Sequence, residues 1–204
     1  MMKIAVLGAG AIAHKMSNTI SQMENVEPYI IADTVAEKAQ SLADQYGYTK
    51  VCGSVDEIVA DDAVDLVYIA LPHSLHYKFT KICLEGGKNV LCEKSFTVNA
   101  DQAREILALA EEKKLLLQEA IWTRYMPSRK IIDDVIASGV IGEVTSLTAN
   151  LGYELSAVPR IWDVNFAGGA LLDCGVYLVH LARMIFGGNI TDFKTSAVFR
   201  QGVD

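Results

Sequence analysis

Cysteine is scarce in this chain of 204 residues, and its few copies are never paired in pattern. Cys52, Cys83, Cys92 and Cys174 form no C-x-x-C spacing and lie inside apolar runs. They read as small buried hydrophobes rather than as disulfide partners or metal ligands, so no metal site is expected. An excess of positive charge is also missing. The 18 Lys and Arg residues stand against 25 Asp and Glu, for a net charge of −7, and the basic residues are scattered. That distribution lacks the electrostatic footprint of a nucleic-acid binder. No apolar run is expected to reach the roughly 18 residues of a membrane span. The N-terminal MMKIAV passes directly into a strand-like pattern without a signal-peptide cleavage region, which predicts a cytoplasmic chain with no membrane partner. Repeats and low-complexity linkers are absent too. What remains is a composition 51% hydrophobic and 21% charged. That is enough to bury a sizeable core, and it suits chemistry on small molecules.

Short runs rich in Val, Ile and Leu alternate with longer amphipathic stretches, the pattern of a parallel sheet with crossover helices. The predicted strands are Ile4–Leu7, Pro28–Ala32, Val51–Cys52, Leu66–Leu71, Val90–Cys92 and Leu115–Gln118. Helices are predicted over Ala11–Met23, Ala36–Tyr46, Leu75–Glu85 and Ala100–Lys113, with a short one near Asp56–Ala60. SVDE from Ser54 to Glu57 reads as a capping box, and Asn99 stands as an N-cap three residues before Gln102. Six strands with five crossovers make one α/β, doubly wound Rossmann domain, set at residues 1–121. Beyond Trp122 the texture changes. A helix over Pro127–Ser138, an alternating run VTSLTANL (Val144–Leu151), the segment GGALLDCGVYLVH (Gly168–His180) and a strand-like DFKTSAVF (Asp192–Phe199) suggest the beginning of an α+β open sheet over residues 122–204. No further strand group finishes that sheet, so the second domain reads as truncated.

The first strand runs into GAGAIA, with Gly8, Gly10, Ala11 and Ile12 at the turn. A G-x-G-x-x-A string between strand and helix lets the backbone turn tightly and approach a pyrophosphate, whose charge then sits at the positive end of the helix. The second strand ends at Asp33, where an acid accepts from the adenosine ribose hydroxyls. Asp33 predicts NAD over NADP by repelling a 2′-phosphate, although Lys38 nearby keeps NADP open. Two more strands end in polar residues at the carboxyl edge, where open α/β sheets bind ligands. LPHSLH brings Leu71, Pro72 and His76 there, and the same residues also suit a strand end with a capped helix start. CEKS brings Glu93 and Lys94, which would otherwise be a solvated pair of little consequence. In GGALLDCGVYLVH the spacings of Asp173, Tyr177 and His180 put them on one helix face. That face is either buried or a site.

Taken with CEK at Cys92, EAIWTRYMP at Glu119 and GGALLDCGVY at Gly168, these motifs resemble the glucose-fructose oxidoreductase and inositol dehydrogenase family of Rossmann oxidoreductases. They fall in the family's order over almost the whole chain. Tyr177, where inositol dehydrogenases usually carry histidine, and WTR at Trp122 look most like its dihydrodiol dehydrogenase branch. The resemblance implies an NAD(P)-dependent dehydrogenase or reductase acting on a secondary alcohol of a polyol, sugar or cyclic vicinal diol. It puts Lys94 beside the nicotinamide and gives the proton exchange to Tyr177, with an ammonium and the cofactor's positive ring favouring the phenolate. Asp173 would hold a second hydroxyl or orient Lys94. The glycines of Gly168 and Gly169 would let this wall approach the cofactor. Glu93, the backbone of Leu71, Pro72 and His76, and Arg160 resemble cofactor contacts; Trp122 and Arg124 resemble residues near the substrate. His180 reads as a core histidine.

Two departures stand out. Ser95 occupies the position after Glu-Lys where the family usually has proline, and family chains run well beyond 204 residues, completing a sheet that makes homo-oligomer contacts. Three other functions fit the same fold: a catalytically silent NAD-binding regulator, an inactive truncated fragment, and an NAD-dependent glycoside hydrolase. Lys94 and Tyr177 argue against the first, and Tyr177 in place of histidine argues against the last.

Overall fold

The computed structural model describes residues 1–188 and 190–204, and the chain divides into two compact units, Met1–Ala120 and Ile121–Asp204. The first unit carries six strands, β1 (Met2–Leu7), β2 (Val26–Ala32), β3 (Lys50–Cys52), β4 (Leu66–Ile69), β5 (Asn89–Glu93) and β6 (Leu117–Ala120). All pair in parallel, in the order β3-β2-β1-β4-β5-β6. The helices between them are α1 (Ala11–Ile20), α2 (Ala36–Tyr46), α3 (Val55–Val59), α4 (His73–Glu85) and α5 (Ala100–Lys113). Strand order reverses between β1 and β4, and there the carboxyl ends of both strands open a crevice.

The alternation inside the strands explains why both sheet faces are covered. Ala5, Leu7, Ile30, Val67, Ile69, Val90 and Cys92 point to one face, beneath Leu84 of α4 and Ile106 of α5. Ile4, Val6, Ile31 and Tyr68 point to the other, beneath Ile20 of α1 and Leu42 of α2. Strands buried on both faces need apolar side chains at every position, hence the near-continuous hydrophobic runs. Burial of each of these aliphatic side chains stabilises the sheet by about 1.5–3 kcal/mol. Asn99 caps α5 as predicted, its side chain accepting from Gln102 N at 3.0 Å. The capping box at α3 is only half formed: Ser54 makes no cap bond to the backbone, and Glu57 instead accepts from the Ser54 hydroxyl and from Gly53 N.

The second unit differs more from expectation. It holds α6 (Pro127–Ala137), short 3-10 turns, a π-helical segment Leu171–Gly175 and α7 (Val176–Phe186). Neither Val144–Leu151 nor Asp192–Phe199 forms a strand; a single antiparallel bridge, Arg200 to Val203, is the pairing in this unit among the described residues. Alternating apolar residues make a strand only against a partner strand, and isolated two-stranded pairs are marginal at best. The expectation of no membrane-length run is also corrected. Val164–Phe186 spans 23 residues at a hydropathy of 1.4, long and apolar enough by composition to cross a membrane. The run is not one continuous helix, however. Ala167 and Gly169 have φ of 52° and 108°, outside right-handed helical space, so continuous helical backbone begins only at Ala170 and runs to Phe186.

Candidate active site

At the crevice of the first unit, β1 passes through Gly8 with φ +105°, and a Cβ there would lie 2.5 Å from the Ala70 carbonyl oxygen. Only glycine fits that turn. Gly10 then serves as the N-cap of α1 with no side-chain cap and no acid in the first turn, and a Cβ built on it meets nothing within 4 Å. The first turn of α1 thus has no side-chain cap, and the positive end of the helix stands at this turn. Ala11 and Ile12 are exposed at this edge. Asp33 ties the turn to β2: its Oδ2 accepts from Ala9 N at 2.7 Å and its Oδ1 from Val35 N at 2.8 Å. A carboxylate has about four lone-pair sites, so two remain for ribose hydroxyls. An open glycine cradle, an uncapped helix start and a carboxylate with acceptor capacity fit a dinucleotide.

Across the crevice, Pro72 is the N-cap of α4, which begins at His73, two residues earlier than predicted. His76 is fully buried, its Nδ1 2.7 Å from Ser95 O and its Nε2 2.8 Å from Leu71 O. The imidazole thus ties the loop after β4 to the loop that carries Lys94. Burial holds its pKa below the usual histidine value, against the two carbonyls, which pull upward. Glu93 is turned inward: it is buried, accepts a short hydrogen bond from the Tyr68 hydroxyl, and accepts from Lys94 N at 3.1 Å. Burial raises its pKa above the carboxylate norm. Its role here is to anchor the strand end beneath Lys94. Lys94 itself is half-buried, and the Lys94–Ser95 peptide is cis. Sequence reasoning missed a further support. Glu119 at the end of β6 accepts from Phe96 N at 3.0 Å, so two carboxylates hold the backbone on either side of Lys94–Ser95.

In the second unit, Asp173 is buried in the π-helical segment while Tyr177 and His180 follow half-buried on α7. Arg160 is paired with Asp173: both its terminal nitrogens reach the carboxylate Oδ1 at 3.2 Å. The two glycines serve this arrangement. A Cβ on Gly168 would come 2.3 Å from Ile161 O, and Gly169 N donates to that same oxygen at 2.8 Å, so the glycines let the helix start press against the turn bearing Arg160. Trp122 is 55% exposed, and its Nε1 donates to the Tyr177 hydroxyl at 2.9 Å. Arg124, two residues on, is exposed.

Comparison with known proteins bears on both units. Residues 2–121 match the family described as "Oxidoreductase family, NAD-binding Rossmann fold", and residues 130–203 match the "GFO/IDH/MocA C-terminal domain". The chain belongs to the GFO/IDH/MocA oxidoreductase family. It is 36% identical to trans-1,2-dihydrobenzene-1,2-diol dehydrogenase of Mus musculus and 35% identical to that of Homo sapiens, in each case over 208 aligned residues that cover 100% of this chain. The chain spans 62% of the length of these curated relatives. Among solved structures it resembles a 3-ketoreductase from Actinomadura kijaniata in complex with NADP and TDP-benzene. The TM-score is 0.83 at 29% identity, over 91% of this chain and 57% of that one. The α/β reading, a six-stranded parallel Rossmann domain followed by a region matching the family's C-terminal domain, and a nicotinamide dinucleotide as cofactor follow from this membership.

Proposed function

We propose that the protein is an NAD(P)-dependent dehydrogenase or reductase that interconverts a secondary alcohol and a ketone on a polyol, a sugar or a cyclic vicinal diol. The observation that carries this reading is the polar carboxyl edge of the sheet. There a glycine turn, Asp33 and Lys94, whose backbone N–H is held by Glu93, all follow the carboxyl ends of parallel strands, in a chain similar along its whole length to dihydrodiol dehydrogenases. A bound nicotinamide dinucleotide would supply the hydride acceptor for alcohol oxidation and the hydride donor for ketone reduction.

The chain's own residues supply binding and proton handling. The N–H groups opening α1 would hold the pyrophosphate, with Gly8 and Gly10 keeping side chains out of its way. The remaining acceptor sites of Asp33 take the ribose hydroxyls, which favours NAD, while exposed Lys38 leaves NADP within reach. Lys94 supplies a positive charge on the nicotinamide side of the crevice. Tyr177 takes the hydroxyl proton during oxidation and gives it back during reduction, and Asp173, held by Arg160, fixes the helix segment that presents it. Trp122 and Arg124 belong to the substrate side. We further propose that the protein works in the cytoplasm, in keeping with its free cysteines, and that the whole protein is a homo-oligomer.

The test is formation of reduced nicotinamide, followed by absorbance, across polyols and vicinal diols, with Tyr177→Phe and Lys94→Met as comparisons. Turnover on at least one alcohol that falls by about 100-fold or more in Tyr177→Phe, with dinucleotide affinity kept, is the expected outcome. Tight dinucleotide binding without turnover on any alcohol would contradict the reading and favour a silent cofactor-binding protein.

A further inference from the structure

We propose that Trp122 is a positioning residue for the Tyr177 hydroxyl, holding it as a hydrogen-bond acceptor and favouring its deprotonated form. The inference rests on the reading of Tyr177 as the proton-exchanging group, and it gives Trp122 a task other than forming a wall against the substrate.

An indole N–H can only donate. In the 2.9 Å contact the Tyr177 oxygen must therefore accept, which leaves the tyrosine's own proton directed elsewhere. The donor also discriminates between the two forms of its partner. A hydrogen bond to a phenolate is charge-assisted and roughly twice as strong as one to a neutral hydroxyl, so a fixed N–H here stabilises the form that can take a proton. The rings add orientation, with centroids 6.0 Å apart at an interplanar angle of 70°, an edge-to-face pair that sets the plane of the tyrosine. The two residues are 55 positions apart, Trp122 on a 3-10 turn and Tyr177 in the first turn of α7, so tertiary structure alone creates the contact.

Several other charged or titratable groups share these elements. Asp173 lies four residues earlier and His180 three residues later along the helical segment, Arg160 is paired with Asp173, and Arg124 and Tyr125 follow Trp122 on its turn. A comparison that changes only Trp122 leaves all of them in place. Trp122→Phe keeps an aromatic ring and removes the N–H. Trp122→His keeps a ring N–H at the equivalent position of the five-membered ring and removes the benzo portion.

The experiment is a pH titration of the chain carrying 13Cζ-labelled tyrosine, read by NMR, with the Tyr177 resonance assigned by its loss in Tyr177→Phe. The expected result is a Tyr177 midpoint about one pH unit higher in Trp122→Phe than in the parent, a tenfold change in the deprotonation equilibrium, and a midpoint restored most of the way by Trp122→His. Trp122→Leu serves as a second variant without a side-chain donor should the phenylalanine form fold poorly. Equal midpoints in the parent and in the folded variants lacking the N–H would overturn the proposal. So would a Trp122→His midpoint matching that of Trp122→Phe. Turnover separates this failure from failure of the parent reading. Full alcohol oxidation by Tyr177→Phe would remove the catalytic reading whatever the titration shows. An inactive Tyr177→Phe beside an unmoved midpoint would remove only the role given to Trp122. A change in KM in Trp122→Phe with no movement of the pH–rate profile would return Trp122 to the substrate wall.

Discussion

The two glycines at the dinucleotide turn should respond to alanine in opposite ways, and the structure supplies both magnitudes. At Gly8 the backbone φ is +105° and an added Cβ would lie 2.5 Å from Ala70 O and 3.0 Å from Ala70 C. The conformational penalty of about 1–2 kcal/mol and the overlap with fixed backbone of about 1–3 kcal/mol together predict a loss of roughly 3 kcal/mol. For a unit of this size that is a fall in Tm of about 10 °C. At Gly10, φ is −85° and ψ −174°, an ordinary extended conformation, and the Cβ meets no atom within 4 Å. Gly10→Ala should therefore stay within about 0.5 kcal/mol of the parent, since the reduced entropy of the unfolded chain offsets a slightly poorer N-cap. Its methyl group would occupy the space through which a pyrophosphate approaches the first N–H groups of α1, so NAD affinity should fall about tenfold or more. Far-UV melting and dinucleotide titration by fluorescence read the two quantities separately. A Gly10→Ala chain that melts normally and binds NAD as tightly as the parent would refute the placement of the cofactor on this turn.

The remaining predictions concern the supports of the site. Burial depresses the folded pKa of His76, so its contribution to stability is present above the unfolded value of about 6.5 and is lost as pH falls through the lower folded value. Between pH 7 and pH 5 the Tm of the parent should drop more steeply than that of His76→Gln, and parallel slopes would contradict the assignment. Arg160→Gln removes a partner of Asp173, whose side chain is 9% exposed; with the guanidinium itself 42% exposed, the cost should be about 1–2 kcal/mol, below that of breaking a fully buried pair. A Tm unchanged in Arg160→Gln would show that the contact carries no energy. Tyr177→Phe and the Trp122 variants, set out above, complete the set.

The first unit was legible in the sequence because its signals are local. Runs such as IAVL and LVYI are buried on both faces by helices that the same pattern demands, and the spacing from the glycine turn to Asp33 is fixed by one βαβ unit. Boundaries moved where a single residue decides them: Pro72 starts α4 at His73, and β6 ends at Ala120 because it pairs with β5 up to Glu93. The second unit was harder to read for a physical reason. The alternation in VTSLTANL describes a surface that needs a partner strand, and the described chain pairs none with it. The site residues divide along the same line. Gly8, Gly10 and Asp33 stand where their spacing put them, whereas Arg160 turns to Asp173 across 13 residues and Trp122 to Tyr177 across 55. Such contacts depend on the tertiary path of the chain and leave no periodic trace in sequence. The inward turn of Glu93 depends on Tyr68 of the neighbouring strand, which pattern reading assigns simply to the core.

The proposed transfer of a hydride between an alcohol carbon and a nicotinamide leaves an isotopic trace. The most direct measurement supplies a vicinal diol deuterated at its carbinol carbons together with NAD⁺ or NADP⁺, and examines the recovered cofactor by mass spectrometry. Reduced cofactor carrying one deuterium from the diol, formed by the parent chain and lost in Tyr177→Phe, is the predicted result. Recovery of oxidised cofactor alone, or of reduced cofactor without deuterium, across the alcohols tested would contradict it.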